Sequence, residues 1–323
     1  MPILKPTTDT IAAASRIIRE GGLVAMPTET VYGLAADATS TDAVLSIYTT
    51  KGRPRFNPLI VHVDETAMAW TLAEPTAAAE KLAAIFWPGP LTLVLKARPG
   101  NGISDIVTAG LGTIAIRTPA HDVARALVAA SGRPLAAPSA NRSGRISPTS
   151  AADVAADLGD DVMILDGGHC EHGLESTIVD LTGNRPALLR AGSIEPERIE
   201  AALGVRLARP STNADREGEI DQPVAPGQLA SHYAPRAGVR LNASHVSPGE
   251  ALLAFGPDPL PTAGPVENLS PTADLKEAAK ALFAAMRRLD ATGAATIAVM
   301  RIPETGLGEA IVDRLSRAAA PRY

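Results

Sequence analysis

Pro27-Thr-Glu-Thr-Val-Tyr-Gly33 directly follows the short apolar run Leu23–Met26. Hydroxyls and a carboxylate at the end of a buried strand sit where α/β folds place ligands. Thr28 and Thr30 are also good helix caps, so both uses stay open. Next comes Lys51-Gly-Arg-Pro-Arg55, with Asn57 and Pro58 after it, which puts three bases within five residues. Such a cluster in a chain of net charge -5 suggests a phosphate site. The plainer alternative is a solvated basic turn. Pro54 and Pro58 stiffen the loop and lower the entropy lost in holding the bases in place.

Further polar residues lie beside apolar strands. His62 is inside Leu59-Ile-Val-His-Val63, where a histidine is more often structural than functional. Arg117 ends the apolar run of Thr113–Arg117, and a guanidinium buried there needs an anion, from the protein or from a ligand. Ser139, Asn141 and Ser147 follow the run Leu135–Ala137. Thr177 lies in Glu175-Ser-Thr-Ile-Val-Asp180, and Arg190 ends Ala187–Arg190. His169-Cys-Glu-His172 is too tightly spaced for one tetrahedral zinc set and has no distant partner of matching kind. The chain has no G-x-x-x-x-G-K-[ST], no G-x-G-x-x-G after a strand, no H-E-x-x-H and no G-x-S-x-G elbow.

Alternating strands and helices must position these groups. Strands are expected at 23–26, 59–63, 91–95, 113–117, 135–137, 162–165, 177–181 and 187–190. Helices are expected at about 11–20, from 39–41 through Ile47, and at 75–86, 122–130, 150–158 and 196–203. This pattern argues for an α/β or α+β layer fold. The last three strands have few helices between them, so part of the sheet should be antiparallel. After Leu207, residues 209–228 are polar, rich in Pro and Gly and without hydrophobic period, which reads as a linker. A second, βαβ-like unit starts near Gly238, with strands at 239–241, 252–255 and 296–300 and a last helix near 308–319. Its long helix, 272–292, carries the apolar stripe Leu275, Ala279, Leu282, Met286 and Leu289.

The 323 residues suit about two domains at ~150 residues each. Hydrophobic residues are 46% and charged residues 20%, which excludes wholesale disorder. The single cysteine, Cys170, rules out an intramolecular disulfide and a cysteine-based zinc cluster. The apolar run Leu82–Leu95 has 14 residues and contains Pro88 and Pro90, too short and broken to span a bilayer. Met1-Pro-Ile-Leu-Lys5 has no signal-peptide core, so a cytoplasmic setting without membrane contact is expected.

Taken together, the motifs closely resemble the threonylcarbamoyl-AMP synthase family of the YrdC/Sua5 type, in its long two-domain form. The resemblance rests on Pro27-Thr-Glu-Thr-Val-Tyr-Gly-Leu34, Lys51-Gly-Arg-Pro54 with Asn57-Pro-Leu59, Trp87-Pro-Gly-Pro-Leu-Thr92 and Arg117-Thr-Pro119. It continues through Ala137-Pro-Ser-Ala-Asn141, Asp166-Gly-Gly168, Glu175–Asp180 and Leu189-Arg-Ala-Gly192. Pro226-Gly227 and His232-Tyr-Ala-Pro235 resemble the linker motif of the long form.

The resemblance implies an α/β fold: a YrdC-like domain with a twisted mixed α/β sheet at 1–208, a linker at 209–236, and a smaller Rossmann-like domain at 237–323. It implies a nucleotidyltransferase, L-threonylcarbamoyladenylate synthase. L-Threonine, bicarbonate or CO2, and ATP would give threonylcarbamoyl-AMP and diphosphate. That product would pass to the tRNA threonylcarbamoyl transferase machinery, for threonylcarbamoyladenosine in tRNAs; direct tRNA binding is left open. Lys51 and Arg53, with Mg2+, would stabilise the transferring phosphate. Asn57, Thr113, Ser139, Asn141, Ser147, Arg190 and Tyr233 would join them around ATP. Thr30, His62, Arg117 and Thr177 would hold threonine. No protein metal ligand is expected. Because water would destroy the mixed-anhydride product, the segment 209–236 is expected to fold over the nucleotide, with His232 or Tyr233 near the phosphates. Two alternatives are a double-stranded RNA or ribosome-binding module, disfavoured by the net charge of -5, and another ATP-dependent carbamoyl transfer.

Overall fold

The computed structural model describes residues 3–54, 56–209, 227 and 231–321. Most of the expected linker, and Arg55, lie outside these residues. The first unit is built on a ten-stranded sheet. Its spatial order is β1 (Ile3–Leu4), β8 (Met163–Leu165), β2 (Val24–Met26), β3 (Gly33–Asp37), β7 (Leu135–Ala136), β4 (Ile60–His62), β6 (Thr113–Arg117), β5 (Leu91–Lys96), β9 (Thr177–Asp180) and β10 (Ala187–Arg190). The sheet is mixed. Pairs β2–β8, β4–β6 and β5–β9 are parallel, whereas β2–β3, β5–β6 and β9–β10 are antiparallel.

The central strands are short apolar runs buried on both faces, as a helix-covered sheet requires. Local chemistry sets the helix ends. Thr7 caps the helix Thr8–Arg19 in a reciprocal box with Thr10, and Ser150 does the same with Asp153 for Ala151–Leu158. Gly52 and Gly132 close their helices in the left-handed conformation.

Thr28 does not cap a helix, because the motif leads into strand β3. The Thr28 hydroxyl instead donates to the Val31 carbonyl at 2.6 Å and accepts from the Thr30 amide, closing a tight turn between two strands. Gly33 opens β3, and a Cβ there would meet the Ala137 side chain at a tight 3.3 Å.

The second unit has four parallel strands in the order β11 (Gly238–Arg240), β14 (Thr296–Val299), β12 (Glu250–Ala254) and β13 (Val266–Asn268). Parallel strands need crossovers, and the helix Leu275–Ala291 carries the chain from β13 to β14, on opposite sides of β12. Asp274 caps that helix, and Ala279, Leu282, Met286 and Leu289 of its stripe are buried. The units are not beads on a string. Leu174, Ile194 and Ile199 of the first share one buried cluster with Phe283, Ile311 and Leu315 of the second.

Candidate active site

The parallel pair β4–β6 sets His62 opposite Arg117 in register. Alternation along the strands then puts Ile60 and Ala115 on the same face one step back. With Val94 and Ile178 they form a small apolar floor. A cavity lies on this face. At one end, Arg117 is 3% exposed and donates to the Thr30 hydroxyl at 2.9 Å and the Gly89 carbonyl at 3.2 Å. Its other terminal nitrogen pairs with Glu29 at 2.6 Å. Burial pushes the Glu29 carboxyl up, but the Arg117 charge and hydrogen bond outweigh it and hold the group below its ordinary value. Burial and then Arg117 push the His62 imidazole down to about 3, so it is neutral at physiological pH. Its Nδ1 is buried without a hydrogen-bond partner.

The other end is cationic. The β9–β10 register slips between Leu188 and Arg190, an irregularity that re-aims a side chain at a sheet rim. Arg190 donates to the Ser176 carbonyl at 2.9 Å and its hydroxyl at 3.1 Å. Arg53 donates to the Pro58 carbonyl at 3.0 Å, and burial brings its guanidinium down to about 10. Among the described residues Arg53 has no carboxylate partner, which a buried cation ordinarily requires. Ser139 completes this wall.

Gly227, His232 and Tyr233 close the cavity from the linker side. Gly227 holds φ at +87°, and a Cβ there would crowd the Tyr233 hydroxyl at 2.9 Å and Arg190 at 3.0 Å, so glycine suits this approach. Two contacts pin His232–Ala234: the Ala234 amide donates to the Gly144 carbonyl at 2.8 Å, and the His232 amide donates to the Arg317 carbonyl. One cavity therefore holds a polar corner around Arg117 and a cationic wall suited to phosphates.

Residues 16–192 match a family model for Sua5, YciO and YrdC proteins, described as telomere recombination. Residues 194–320 match the model described as the threonylcarbamoyl-AMP synthase C-terminal domain. The chain is 42% identical over 329 residues to a threonylcarbamoyl-AMP synthase of Pyrococcus abyssi, covering 97% of this chain and 94% of that one. The Bacillus subtilis threonylcarbamoyl-AMP synthase is 40% identical, covering 97% and 93%. The chain belongs to the threonylcarbamoyl-AMP synthase family. The crystal structure of P. abyssi Sua5 complexed with L-threonine superposes with a TM-score of 0.88 at 39% identity, covering 98% of this chain and 96% of that one. The E. coli YciO structure, at 23% identity and a TM-score of 0.53, shares the fold of the first unit.

Within this family frame, the structure brings Thr30, His62, Arg117, Arg53, Ser139, Arg190 and Tyr233 to the cavity. The other expected residues sit elsewhere. Lys51 lies one layer behind, its ammonium donating to the carbonyls of Ser139 and Asn141. Asn57 is fully buried, with its side-chain amide unpartnered. Asn141 donates to the Arg142 and Arg145 carbonyls, while its Oδ1 has no partner. Ser147 donates to Glu175 at 2.6 Å. Thr113 opens β6, at the far end from Arg117. Thr177 faces away from the cavity, because its hydroxyl bonds the Ile194 backbone. Strand alternation gives the wall to Ser176 instead. Sequence reasoning gave no role to Glu29, Glu175 or Ser176, although Glu29 was noted as the carboxylate of the first motif and the other two belong to the motif that holds Thr177.

Proposed function

We propose that this chain joins L-threonine, CO2 or bicarbonate, and ATP into threonylcarbamoyl-AMP with release of diphosphate. The observation that carries this reading is the pairing, in one cavity, of the Arg117–Thr30–His62 corner with the Arg53–Arg190–Ser139 wall. A guanidinium and a hydroxyl suit the threonine carboxylate, since charged and bidentate hydrogen bonds give both strength and geometry. Neutral His62 offers its unpartnered nitrogen to the amino-acid hydroxyl or amine without repelling a cation. Arg53 and Arg190 would hold the phosphates, with Ser139 donating beside them, while Asn57 and Asn141 stand outside the lining.

The chemistry asks mainly for placement. The threonine nitrogen attacks CO2 and loses a proton, giving a carbamate. A carbamate oxygen attacks the α-phosphorus, the bond to the β-phosphate oxygen breaks, and diphosphate leaves. Two fixed guanidiniums at the phosphates stabilise charge that develops there, so positioning and electrostatics suffice. Among the described lining residues Glu175 is the one carboxylate, and both its oxygens are engaged, by Ser147 and Arg314. Among the described lining residues no carboxylate is left free for Mg2+, which would enter on the phosphates of ATP. Gly227, His232 and Tyr233 would shield the anhydride from water. In this division, residues 1–208 carry the chemistry and 237–323 support it. The product would feed a tRNA-modifying transferase in the cytoplasm; among the described residues no helix is long and apolar enough to cross a membrane.

Diphosphate release tests the reading. It should require threonine and bicarbonate together, because the carbamate is the attacking group. Phosphate appearing in place of diphosphate would mean attack at the γ-phosphorus and would overturn the assignment.

A further inference from the structure

Arg314 belongs to the last helix, Leu307–Ala319, in the second unit, yet its side chain is fully buried against the wall of the catalytic cavity. Its Nε donates to Glu175 at 2.8 Å and its Nη2 to the Ala191 carbonyl at 2.9 Å. Its Nη1 pairs with Asp313 at 2.7 Å. The guanidinium carbon also lies 5.2 Å from the centre of the Tyr233 ring, which stacks on Phe283 at 5.6 Å. The second unit therefore touches both the one carboxylate of the described lining and the aromatic residue of its cover.

Glu175 poses an electrostatic problem for a phosphate site. A buried carboxylate beside Arg190 and Arg53 would repel a polyphosphate over a few ångströms, with little water to screen it. Ser147 holds one of its oxygens, but a hydroxyl brings no charge. Arg314 brings a full positive charge to the other oxygen through its Nε, and with Ser147 on the first oxygen the carboxylate is held from both sides. Burial raises the Glu175 carboxyl, yet Arg314 and then Arg190 outweigh it, so the group remains ionised. Its charge must then be offset by a neighbour.

We propose that Arg314 is a positioning residue by which the C-terminal unit neutralises and orients Glu175, so that the cavity keeps its net positive charge toward the nucleotide phosphates. This rests on the reading that ATP binds there. It gives the C-terminal unit a defined part in the reaction without placing any of its atoms on substrate. It also predicts an asymmetry: nucleotide binding depends on Arg314, whereas threonine, held at the Arg117 end, feels it weakly.

The test is calorimetric titration of the full chain with ATP and, separately, with L-threonine, alongside thermal melting. Arg314→Met should weaken ATP binding by about tenfold or more, while threonine binding shifts far less. Adding Glu175→Gln should restore most of the lost ATP affinity, because no carboxylate then needs an offset. Arg314→Lys keeps the charge but cannot reach Glu175 and Ala191 together. It should lie between wild type and Arg314→Met, and it carries the same comparison should the methionine variant fail to fold. An ATP affinity unchanged in both variants, or a loss that Glu175→Gln leaves in place, overturns the proposal and makes Arg314 a packing residue. Absence of ATP binding to the wild-type chain would instead overturn the reaction assigned above.

Discussion

Arg117 and Glu29 stand 2.6 Å apart with side chains 4% and 5% exposed, an ion pair enclosed in the wall of the cavity. The pair answers the question raised by an arginine at the end of an apolar strand: the anion is a carboxylate from the neighbouring loop. It also holds the guanidinium ready, so less ordering is required when a substrate carboxylate arrives.

Arg117→Ala should therefore have two effects. Threonine binding should weaken by about 1.5–3 kcal/mol, the range for a hydrogen bond to a charged group. Stability should fall by about 3–5 kcal/mol, because Glu29 is left buried and unpaired. Adding Glu29→Gln should recover most of the melting temperature but none of the threonine affinity. Calorimetry showing equal losses for ATP and threonine would mark Arg117 as purely structural.

The basic loop behaves differently from a solvated turn. Lys51 is 3% exposed and Arg53 is 9% exposed. Lys51→Met would strand the Ser139 and Asn141 carbonyls, at about 1–3 kcal/mol for each buried group left unsatisfied. Melting temperature and ATP affinity should drop together in that variant, since the loop it ties down carries Ser139. Arg53→Gln should mainly reduce ATP affinity. An Arg53→Gln protein that binds ATP normally would remove the residue from the phosphate site.

Acid should destabilise the fold before most carboxylates titrate. His62 is held near 3 by burial and then by Arg117, against an ordinary value of 6.5. His232 is also pushed down, by burial and then Arg53. The unfolded chain thus binds these protons more readily. The His62 contribution to stability is complete above pH 6.5 and is lost as the pH falls toward 3, and that of His232 is lost in the same direction. His62→Asn should flatten the melting temperature across that window. Threonine affinity in wild type should stay level from about pH 5.5 to 7.5, since neutral His62 does not titrate there. A midpoint near 6.5 in threonine binding would mean that the imidazole is open to solvent.

The strands that carry the site were legible because each is a short β-branched or leucine-rich run ending in a polar residue. Thr113–Arg117 and Ala187–Arg190 have the expected bounds. Gly33–Asp37 was not legible. Its Gly-Leu-Ala-Ala-Asp sequence has weak strand preference, and pairing with β2 and β7 decides its conformation. The strands Ile3–Leu4 and Val266–Asn268 are two and three residues long, too short for a period. The helix Thr66–Leu72 starts at Glu65 with no side-chain cap bond to announce it. At the site, a one-residue change of strand face separates Thr177 from Ser176, and no composition signal fixes that parity. Arg314 is the extreme case: in sequence it is an ordinary arginine in an amphipathic helix, and only tertiary packing puts it on Glu175.

Tyr233 provides the last test. It is 1% exposed and holds φ at +61°, a left-handed conformation disfavoured for a bulky residue. Strain of this kind persists where surrounding contacts impose it, and here they are Phe283, Arg314 and the Gly144 backbone. Tyr233→Gly keeps the backbone at ease and removes the ring. The lost packing costs about 3–5 kcal/mol and the released strain returns about 1–3, so the fold should survive. Diphosphate release should continue, but intact threonylcarbamoyl-AMP should accumulate less, because water reaches the anhydride. Tyr233→Phe keeps the ring and should preserve the product yield per diphosphate. A point substitution probes this better than truncation at 208, since Phe283, Ile311 and Leu315 share a core with the first unit. An unchanged ratio of adduct to diphosphate in Tyr233→Gly would show that the ring covers nothing.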